Sequence, residues 1–485
     1  MGELQGTLFG LEFNRSVKIE ARPERLTAEG GVLLLRELAG ELGLPALVAE
    51  HLSDPREAGK VQHPLLELVL TRLLALAQGW TDQNDVALLH DDPAFRLAVS
   101  ERRGDSPLRT PEGNEPDGLC SQPTLSRLQR ALSSEENRAG LGLILRDVAR
   151  TFLEGRREIT VDLDSLPYEV HGHQAGSAYN GHYRMRCYHP LVASVLGRFF
   201  LGARLRPGNA HTADGGLEFV LPLITWLRTF TERVWLRADA GFPSPAFLEA
   251  AEAADIPYVC RVRGNAALDR LAEPHLRRPP GRPPAGGRTW LHELRYRAGS
   301  WRRERRVVLV VVERADEQQH LFLDHFFLLT NAPTEQESAE ALLERYRQRG
   351  SAEADFGDCN TALSPHLSSA QRTKTHYRGR TLHEPPVAHD GFAANEAELL
   401  LRLTAANLMA AGAELLHVPG QPRPSRQRFR DRVLKTAARV LLGQRRVTVV
   451  IPSACAPLWQ RFRARLLAHR GARGSPGLRT LPAPA

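Results

Sequence analysis

The spacing of apolar residues predicts that the first third of the chain is helical. Between about residues 26 and 155, apolar side chains recur at the period of an amphipathic helix, most clearly over residues 30–38 and 65–74. Residues 121–127 add a helix start, with a Ser or Thr cap ahead of Leu125 and Leu128. We therefore predict an N-terminal helical domain over residues 1–155.

A second pattern begins near residue 157, where alternating runs rich in β-branched residues lie between helical stretches. Residues 158–164, 233–239 and 256–262 predict strands, as do residues 191–205, 306–313 and 325–329. Helical spacing covers residues 217–230, 245–254, 334–359 and 395–416. Strands that alternate with helices predict a mixed α/β sheet.

The remaining segments are predicted to be loops and a C-terminal helical region. Residues 274–288 are rich in Pro, Gly and Arg and should form an exposed loop, whereas residues 363–390 resemble a disordered stretch. Beyond residue 416 we expect a basic helix over residues 426–442, a strand over 447–451 and a last helix over 456–469.

The composition is that of a globular protein of two or three domains. The chain has 485 residues, of which 42% are hydrophobic and 25% charged. Five cysteines stand singly, which favours a reducing cytoplasm and argues against a zinc ribbon. The apolar runs are too short for a membrane span, and residues 1–13 lack the features of a secretory signal. We expect a cytoplasmic protein without membrane contact.

Positive charge is concentrated at the C-terminal end. From Gln421 onward the chain has fifteen Lys or Arg residues and one acid, Asp431. This local balance of +14, within a net charge of +8, leaves −6 on the preceding 420 residues. A strongly basic segment on a mildly acidic body predicts contact with a polyanion, and arginine suits bidentate contacts to phosphate.

Acidic residues at strand ends predict a metal site. Asp162 and Asp164 lie two apart on one predicted strand, so both project from the same face. Asp239 ends a second strand, and Glu353 lies on the helix after the last strands. Ligands of open α/β sheets collect at the carboxyl ends of strands, so these acids could converge. Carboxylates are the ligands that Mg²⁺ takes, and two such ions catalyse phosphoryl transfer.

Many short motifs of the sequence resemble those of insertion-sequence transposases of the DDE type, in the group 1 DDE transposase family. The similarity runs from about residue 26 to about residue 467. It covers residues 27–31 (TAEGG), 79–85 (GWTDQND), 90–95 (HDDPAF), 121–127 (SQPTLSR), 162–164 (DLD), 171–174 (HGHQ), 180–183 (NGHY), 205–215 (LRPGNAHTADG) and 237–242 (RADAGF). Such families also carry a Tyr-x₂-Arg-x₃-Glu-x₆-Lys pattern, which here falls on Tyr346, Arg349, Glu353 and Asn360.

The resemblance implies a catalytic site and its cofactor. Asp164, Asp239 and Glu353 would be the catalytic metal ligands for two Mg²⁺ (or Mn²⁺) ions, with Asp162 as the alternative first carboxylate. Tyr346 and Arg349 would contact DNA, and their spacing from Glu353 predicts one shared helical face. Asn360 departs from the usual lysine, Leu166 from a threonine and Ala240 from a serine, yet each carboxylate is present.

The resemblance also implies an architecture and partners. An α/β RNase H-like catalytic core over residues 156–415 would carry a β-rich insertion at about 263–325, because 114 residues separate Asp239 from Glu353. The helical domain over residues 1–155 would bind DNA ends, and a basic helical segment would follow over 416–485. The expected partners are the double-stranded terminal inverted repeats, target DNA and a second copy of the chain, at the nucleoid.

Two other functions remain compatible with the sequence, along with several weaker signals. The chain could be a catalytically inactive, transposase-derived DNA-binding protein, or an RNase H-like nuclease without strand transfer. His171, His173, His182 and Cys187 match no zinc spacing well, and a loop beside the active strand is the preferred interpretation. Asp214 could support the site or form a structural turn. The fragment 281–284 could follow DNA phosphates or be a plain exposed loop.

Overall fold

The N-terminal third is helical, as predicted, and three short strands precede the helices. The computed structural model describes residues 7–100, 108, 117–172, 174–281, 284, 287–315, 321–363, 367–368, 376–377, 380–381, 391–443 and 446–472. The first elements are β1 (Thr7–Gly10), β2 (Lys18–Glu20), β3 (Arg25–Thr27), α1 (Val32–Glu41), α2 (Leu44–His51), α3 (Leu65–Gln78), α4 (Val86–Leu89), α5 (Pro93–Val99), α6 (Gln122–Leu132) and α7 (Glu135–Arg150).

The middle of the chain alternates strands and helices, which confirms the mixed α/β prediction. Its elements are β4 (Glu158–Ser165), β5 (Tyr168–Glu169), β6 (Ala178–Asn180), β7 (Met185–Tyr188), β8 (Leu191–Val195), β9 (Phe199–Arg204), α8 (Gly216–Leu227), β10 (Arg233–Ala238), α9 (Pro245–Ala253), β11 (Tyr258–Val262), α10 (Ala266–Ala272), β12 (Arg288–Tyr296), β13 (Arg305–Ala315), β14 (Leu321–Thr330), α11 (Ala339–Arg347) and α12 (Arg349–Leu363).

The last elements mix helices and strands. They are β15 (His376–Tyr377), β16 (Arg380–Thr381), α13 (Gly391–Leu416), α14 (Arg426–Phe429), one π-helical turn (Arg430–Leu434), β17 (Ala438–Leu442), β18 (Val447–Val450) and α15 (Ala456–Ala472). Most of the predicted disordered stretch over residues 363–390 lies outside the described residues, as do Arg282 and Pro283 of the fragment at 281–284. Of the predicted exposed loop over residues 274–288, residues 274, 277–281 and 284 are exposed, whereas residues 275, 276, 287 and 288 are half-buried.

An eight-stranded mixed sheet organises the middle of the chain. Its order is β12-β13-β14-β11-β10-β4-β8-β9. Strand β10 runs parallel to β4 and to β11, and the other neighbours in this sheet are antiparallel. Because β4, β10 and β11 run in one direction, their carboxyl ends meet at the same edge of the sheet.

The strands between Asp239 and Glu353 extend this sheet. Strand β14 pairs with β11, and β13 and β12 follow it outward. Residues Val307 to Val311 of β13 are fully buried, because β13 has neighbours on both edges and packing on both faces. Strand β12 was not predicted, since its charged and polar residues at 288, 292, 293 and 295 weaken the hydrophobic alternation.

Helix α13 joins the N-terminal helices to the sheet. It packs against α3, α7 and β9. The Asn407 amide donates to the carbonyls of Leu145 (3.1 Å) and Phe200 (2.8 Å) and accepts the N–H of Phe200 (2.8 Å). By length and composition α13 could cross a membrane, but 89% of its most apolar window is buried inside the protein, as in a core helix.

The predicted basic helix over residues 426–442 is wrong in its second half. After α14 and the π-helical turn, the chain forms β17, which pairs with β18 on one side and with β3 on the other. This pairing joins residue 438 to Thr27, so local periodicity could not reveal it. A Cβ on Gly31 would lie 2.0 Å from the Val433 carbonyl oxygen, so only glycine permits this close approach.

The predicted single helix over residues 334–359 is also corrected. Helix α11 begins at Ala339, where the Ser338 hydroxyl accepts the N–H of Ala341 (3.2 Å). It ends at Arg347, and α12 starts two residues later. Tyr346 therefore lies on α11, whereas Arg349 and Glu353 lie on the first turns of α12.

Candidate active site

Asp164 is a buried carboxylate near the carboxyl end of β4. One guanidinium nitrogen of Arg349, Nη2, donates to both of its oxygens, at 3.0 and 2.7 Å. Burial raises the pKa of Asp164 to about 7, Arg349 opposes that rise, and the charges of Asp239 and Asp162 add to it. The charged form of Asp164 is thus disfavoured by burial and stabilised by the nearby cation Arg349.

Asp162 has a different environment, although it shares a face of β4 with Asp164 as predicted. The guanidinium of Arg237 on β10 binds it through two parallel hydrogen bonds, Nε to Oδ1 (2.5 Å) and Nη2 to Oδ2 (2.8 Å). Asp162 is 1% exposed, and Arg237 also donates to the carbonyl of Arg345. This ion pair links the neighbouring strands β4 and β10.

Asp239 follows β10 at the same edge of the sheet. Its Oδ1 accepts the N–H of Gly241 (2.8 Å), which orients the carboxylate in the turn. The half-buried side chain lines a cavity of about 580 Å³ together with Tyr346 and Arg349. The cavity wall also contains Arg261, Arg263, His325, Phe326 and Phe327. Local sequence gave no signal for these residues, because β11 and β14 meet there only through the sheet.

Glu353 completes the acidic set on the first turns of α12. Its side chain is 59% exposed, and it forms an ion pair with Nη1 of Arg349 one helical turn earlier. Arg349 therefore bridges Asp164 and Glu353 with its two terminal nitrogens. The three predicted carboxylates lie close enough that Asp239 and Glu353 both raise the pKa of Asp164.

Arg349 occupies the position of a counter-ion among these acids. Among the described residues, no group of three His, Cys, Asp or Glu side chains is arranged to hold a metal ion. The donor set nevertheless fits a hard divalent cation, because Mg²⁺ takes carboxylate oxygens and Asp164 is a buried carboxylate that needs positive charge.

Tyr346 and Asn360 occupy different surroundings. The Tyr346 ring is half-buried, with its centroid 6.3 Å from that of Phe326, and burial raises the pKa of its phenol. It lines the same cavity as Asp239 and Arg349, but the predicted single helical face shared with Arg349 and Glu353 is wrong, because Tyr346 lies on α11 and the other two on α12. Asn360, at the position of the usual lysine, is exposed on α12.

The loop before α8 is held by a buried arginine. Arg206 donates to the backbone carbonyls of His189, His211 and Asp214, at 2.9, 3.0 and 2.7 Å. Asp214 accepts the N–H of His211 (3.1 Å), which is a turn contact and favours the structural interpretation of this residue.

The His and Cys residues of the segment 171–187 have separate environments. His173 lies outside the described residues, Cys187 is buried, and His182 is exposed with its ring against Tyr183. The small sheet β5-β7-β6, which contains this segment, was not predicted from the sequence. Its strands of two to four residues are too short to give a recognisable period.

Without divalent metal, ionisation of Asp164 is expected to reduce stability as the pH rises. The folded pKa of about 7 lies above the ordinary 3.8, so the folded chain binds this proton more tightly than the unfolded chain. The stabilisation is complete below pH 3.8 and is lost as the pH passes through about 7. Thermal unfolding in EDTA should therefore show Asp164→Asn gaining stability relative to wild type across this interval. A pH-independent difference would contradict the raised pKa.

Comparison with known proteins assigns nearly the whole chain to one family model. The model described as transposase DDE domain group 1 matches residues 9–469, which include the sheet, α12 and the three acids. A search of curated proteins gives no match.

Proposed function

Because the chain belongs to the transposase DDE domain group 1 family, we propose that it cuts DNA at the ends of a mobile element and joins those ends to target DNA. The observation that carries the proposal is that Arg349 pairs with both Asp164 and Glu353, while the charge of Asp239 also raises the pKa of Asp164. Three carboxylates around a cationic position suit metal-dependent phosphoryl transfer.

An RNase H-like core accounts for the sheet. Strands β9, β8 and β4 form an antiparallel trio, and β10 and β11 continue the sheet parallel to β4. Acids near the carboxyl ends of β4 and β10 are what such a core requires. Strands β12 to β14 would then be the insertion between the second and third carboxylates, within a catalytic region over residues 156–415.

Asp164, Asp239 and Glu353 would hold two Mg²⁺ or Mn²⁺ ions. Such a pair stabilises both the attacking and the leaving oxygen of the phosphodiester. The chain itself supplies the orientation: the Gly241 N–H fixes Asp239, and the closed pair of Asp162 with Arg237 fixes the neighbouring strand. Arg349, once released from the acids, would bind a DNA phosphate, and Tyr346 would line the path of the strand.

Two successive reactions follow from this assignment. Water first breaks the phosphodiester at the element end and leaves a free 3′-hydroxyl. That hydroxyl then attacks the phosphorus of a second phosphodiester, either on the opposite strand or in target DNA, and displaces the 3′-oxygen of the attacked strand, which leaves as a new 3′-hydroxyl. Joining two ends requires two active sites, so we propose a homodimer on DNA, in the cytoplasm at the nucleoid.

The DNA contacts outside the site would come from both ends of the chain. We propose that the helices of residues 1–155 bind the terminal inverted repeats and that the segment 416–485 contacts phosphates. Arg426 and Arg430 of that segment are buried and bonded internally, so they are not available for this contact. Among the described residues of this segment, the exposed arginines without an ion pair to a glutamate are Arg428, Arg432, Arg446, Arg461 and Arg463, whereas the exposed Arg423, Arg439 and Arg470 pair with glutamates.

The test is a cleavage and joining assay with a labelled duplex that carries the inverted repeat flanking the gene. With Mg²⁺, the wild-type chain should cut at the repeat end and transfer that end to a plasmid. Cutting without transfer would indicate a nuclease instead. Specific, salt-sensitive binding without cutting would indicate a DNA-binding protein derived from a transposase.

Removal of Arg349 is expected to tighten metal binding in the absence of DNA. An opposite charge at this distance shifts a carboxyl pKa by about 1–3 units, so its loss should raise the affinity of the acids for Mn²⁺ by roughly tenfold or more. Titration of Mn²⁺ by electron paramagnetic resonance should show this for Arg349→Ala. Arg347→Ala, which removes the same charge from an exposed neighbour, should bind Mn²⁺ like wild type. Equal affinity in wild type and Arg349→Ala would rule out competition.

A further inference from the structure

The turn between β6 and β7 presents an exposed tyrosine on a rigid support. Asn180 is buried, and its Oδ1 accepts the backbone N–H groups of His182 (3.0 Å) and Tyr183 (3.2 Å). Its amide nitrogen donates to the carbonyl of Gly208 (2.7 Å). A Cβ on Gly208 would lie 2.2 Å from the Cys187 carbonyl oxygen, so glycine permits this contact. The turn is therefore fixed to the body of the protein from two directions.

The Tyr183 ring is held edge-on by two histidines. Its centroid lies 4.8 Å from that of His182 and 5.8 Å from that of His189. His189 is buried, and its Nδ1 lies 3.0 Å from the Ala210 carbonyl oxygen, so it is itself fixed in place. Tyr183 nevertheless remains 38% exposed.

Tyr183 lies at the edge of the sheet that carries the acids. Strand β8 starts two residues after His189, and its first residue, Leu191, pairs with Ser165 beside Asp164. The charges of Asp239 and Asp164, after burial, raise the pKa of the Tyr183 phenol. The phenol is therefore uncharged at neutral pH, and the side chain faces the same acidic edge.

Two tyrosines among the described residues, Tyr346 and Tyr183, lie near the acids. In the sheet order, β8 lies on one side of β4, whereas β10 and β11 lie on the other. Tyr346 lies in the cavity on the β10 and β11 side, and Tyr183 lies on the β8 side. A nucleic-acid strand bound at the acids could therefore reach both rings.

We propose that Tyr183 contacts the DNA strand by stacking on a nucleotide next to the cleaved phosphate, on the side opposite Tyr346. This inference rests on the proposed function. A neutral ring can approach DNA where three carboxylates repel its phosphates, and every base offers a face for stacking. The exposed Arg184, the next residue, adds a positive charge beside that strand.

The test compares three variants on the duplex that carries the flanking inverted repeat. Tyr183→Ala should weaken binding of this duplex, and raise KM, by roughly 10- to 100-fold, the usual effect of losing one stacked base. Tyr183→Phe keeps the ring and should bind within about twofold of wild type. Tyr179→Ala is the matched control, because it removes a 61% exposed tyrosine from the same hairpin. Thermal unfolding and Mn²⁺ affinity should be unchanged in all three.

Two outcomes would overturn the proposal. Wild-type affinity and KM in Tyr183→Ala would exclude a contact, and an equal loss in Tyr183→Phe would assign the effect to the hydroxyl instead of the ring. Failure of the proposed function looks different, because the wild-type chain would then bind the repeat duplex no better than a scrambled duplex. That last result would overturn both inferences together.

Discussion

Cleavage of the repeat duplex is expected to fall by on the order of 10³-fold when Asp239 is changed to Asn or Glu353 to Gln. Each change keeps the shape of the side chain but removes one negative ligand from the acidic set. Duplex binding should persist in both variants, since removing an acid reduces repulsion of the phosphates. Single-turnover cleavage of a labelled duplex, beside a gel-shift titration, measures the two effects separately.

Glu340→Gln provides the control for Glu353→Gln. Both residues are exposed glutamates near the start of a helix, but Glu340 lies at the beginning of α11, away from Arg349. Its change should leave cleavage within about twofold of wild type. If Glu353→Gln cleaves as fast as Glu340→Gln, then Glu353 is not the third carboxylate.

Replacement of Arg426 by Ala is expected to cost about 3–5 kcal/mol of folding free energy. Arg426 is 2% exposed, and its guanidinium binds both oxygens of Asp355, at 2.6 and 3.1 Å. It also donates to the carbonyls of Ala406 (3.1 Å) and Arg198 (2.6 Å). Loss of the arginine leaves the Asp355 carboxylate, whose side chain is only 9% exposed, without its partner. Removing one partner of a buried ion pair destabilises a protein strongly because the remaining charge is uncompensated.

Arg428→Ala separates this effect from the loss of charge. Arg428 belongs to the same short helix α14 but is exposed, so its removal should change stability by less than about 0.5 kcal/mol. Urea unfolding followed by circular dichroism measures the difference. Similar midpoints for the two variants would show that the Arg426 network contributes little to stability.

The sequence predicted elements whose period is strong and local. Strands β4 and β10 and helix α13 were found because alternation or helical spacing continues over several residues. Strand β17 was mistaken for part of a helix, since its edge pairing with β3 depends on residues more than 400 positions earlier. The break at Gln348 was missed because α11 and α12 follow each other with only one residue between them.

The candidate site was only partly accessible to the same reasoning. Family resemblance gave Asp164, Asp239 and Glu353, but spacing alone could not separate Asp162 from Asp164. The two aspartates differ in their ion-pair partners, which come from other elements. Asp162 pairs with Arg237 on β10, and Asp164 pairs with Arg349 on α12. Such pairs join residues 75 and 185 positions apart, so no local pattern contains them.

The late position of α13 and β17 along the chain also constrains how this protein can be made. The apolar faces of α3, α7 and β9 are complete before residue 391 is synthesised, yet they pack on a helix that begins there. Strand β3 cannot pair until later still, because its partner strand β17 starts at Ala438. A nascent chain therefore carries uncovered apolar surface until these residues have been synthesised, and such surface favours aggregation or chaperone binding. The fold that supports the candidate site is thus completed only after residues 391–442 have left the ribosome.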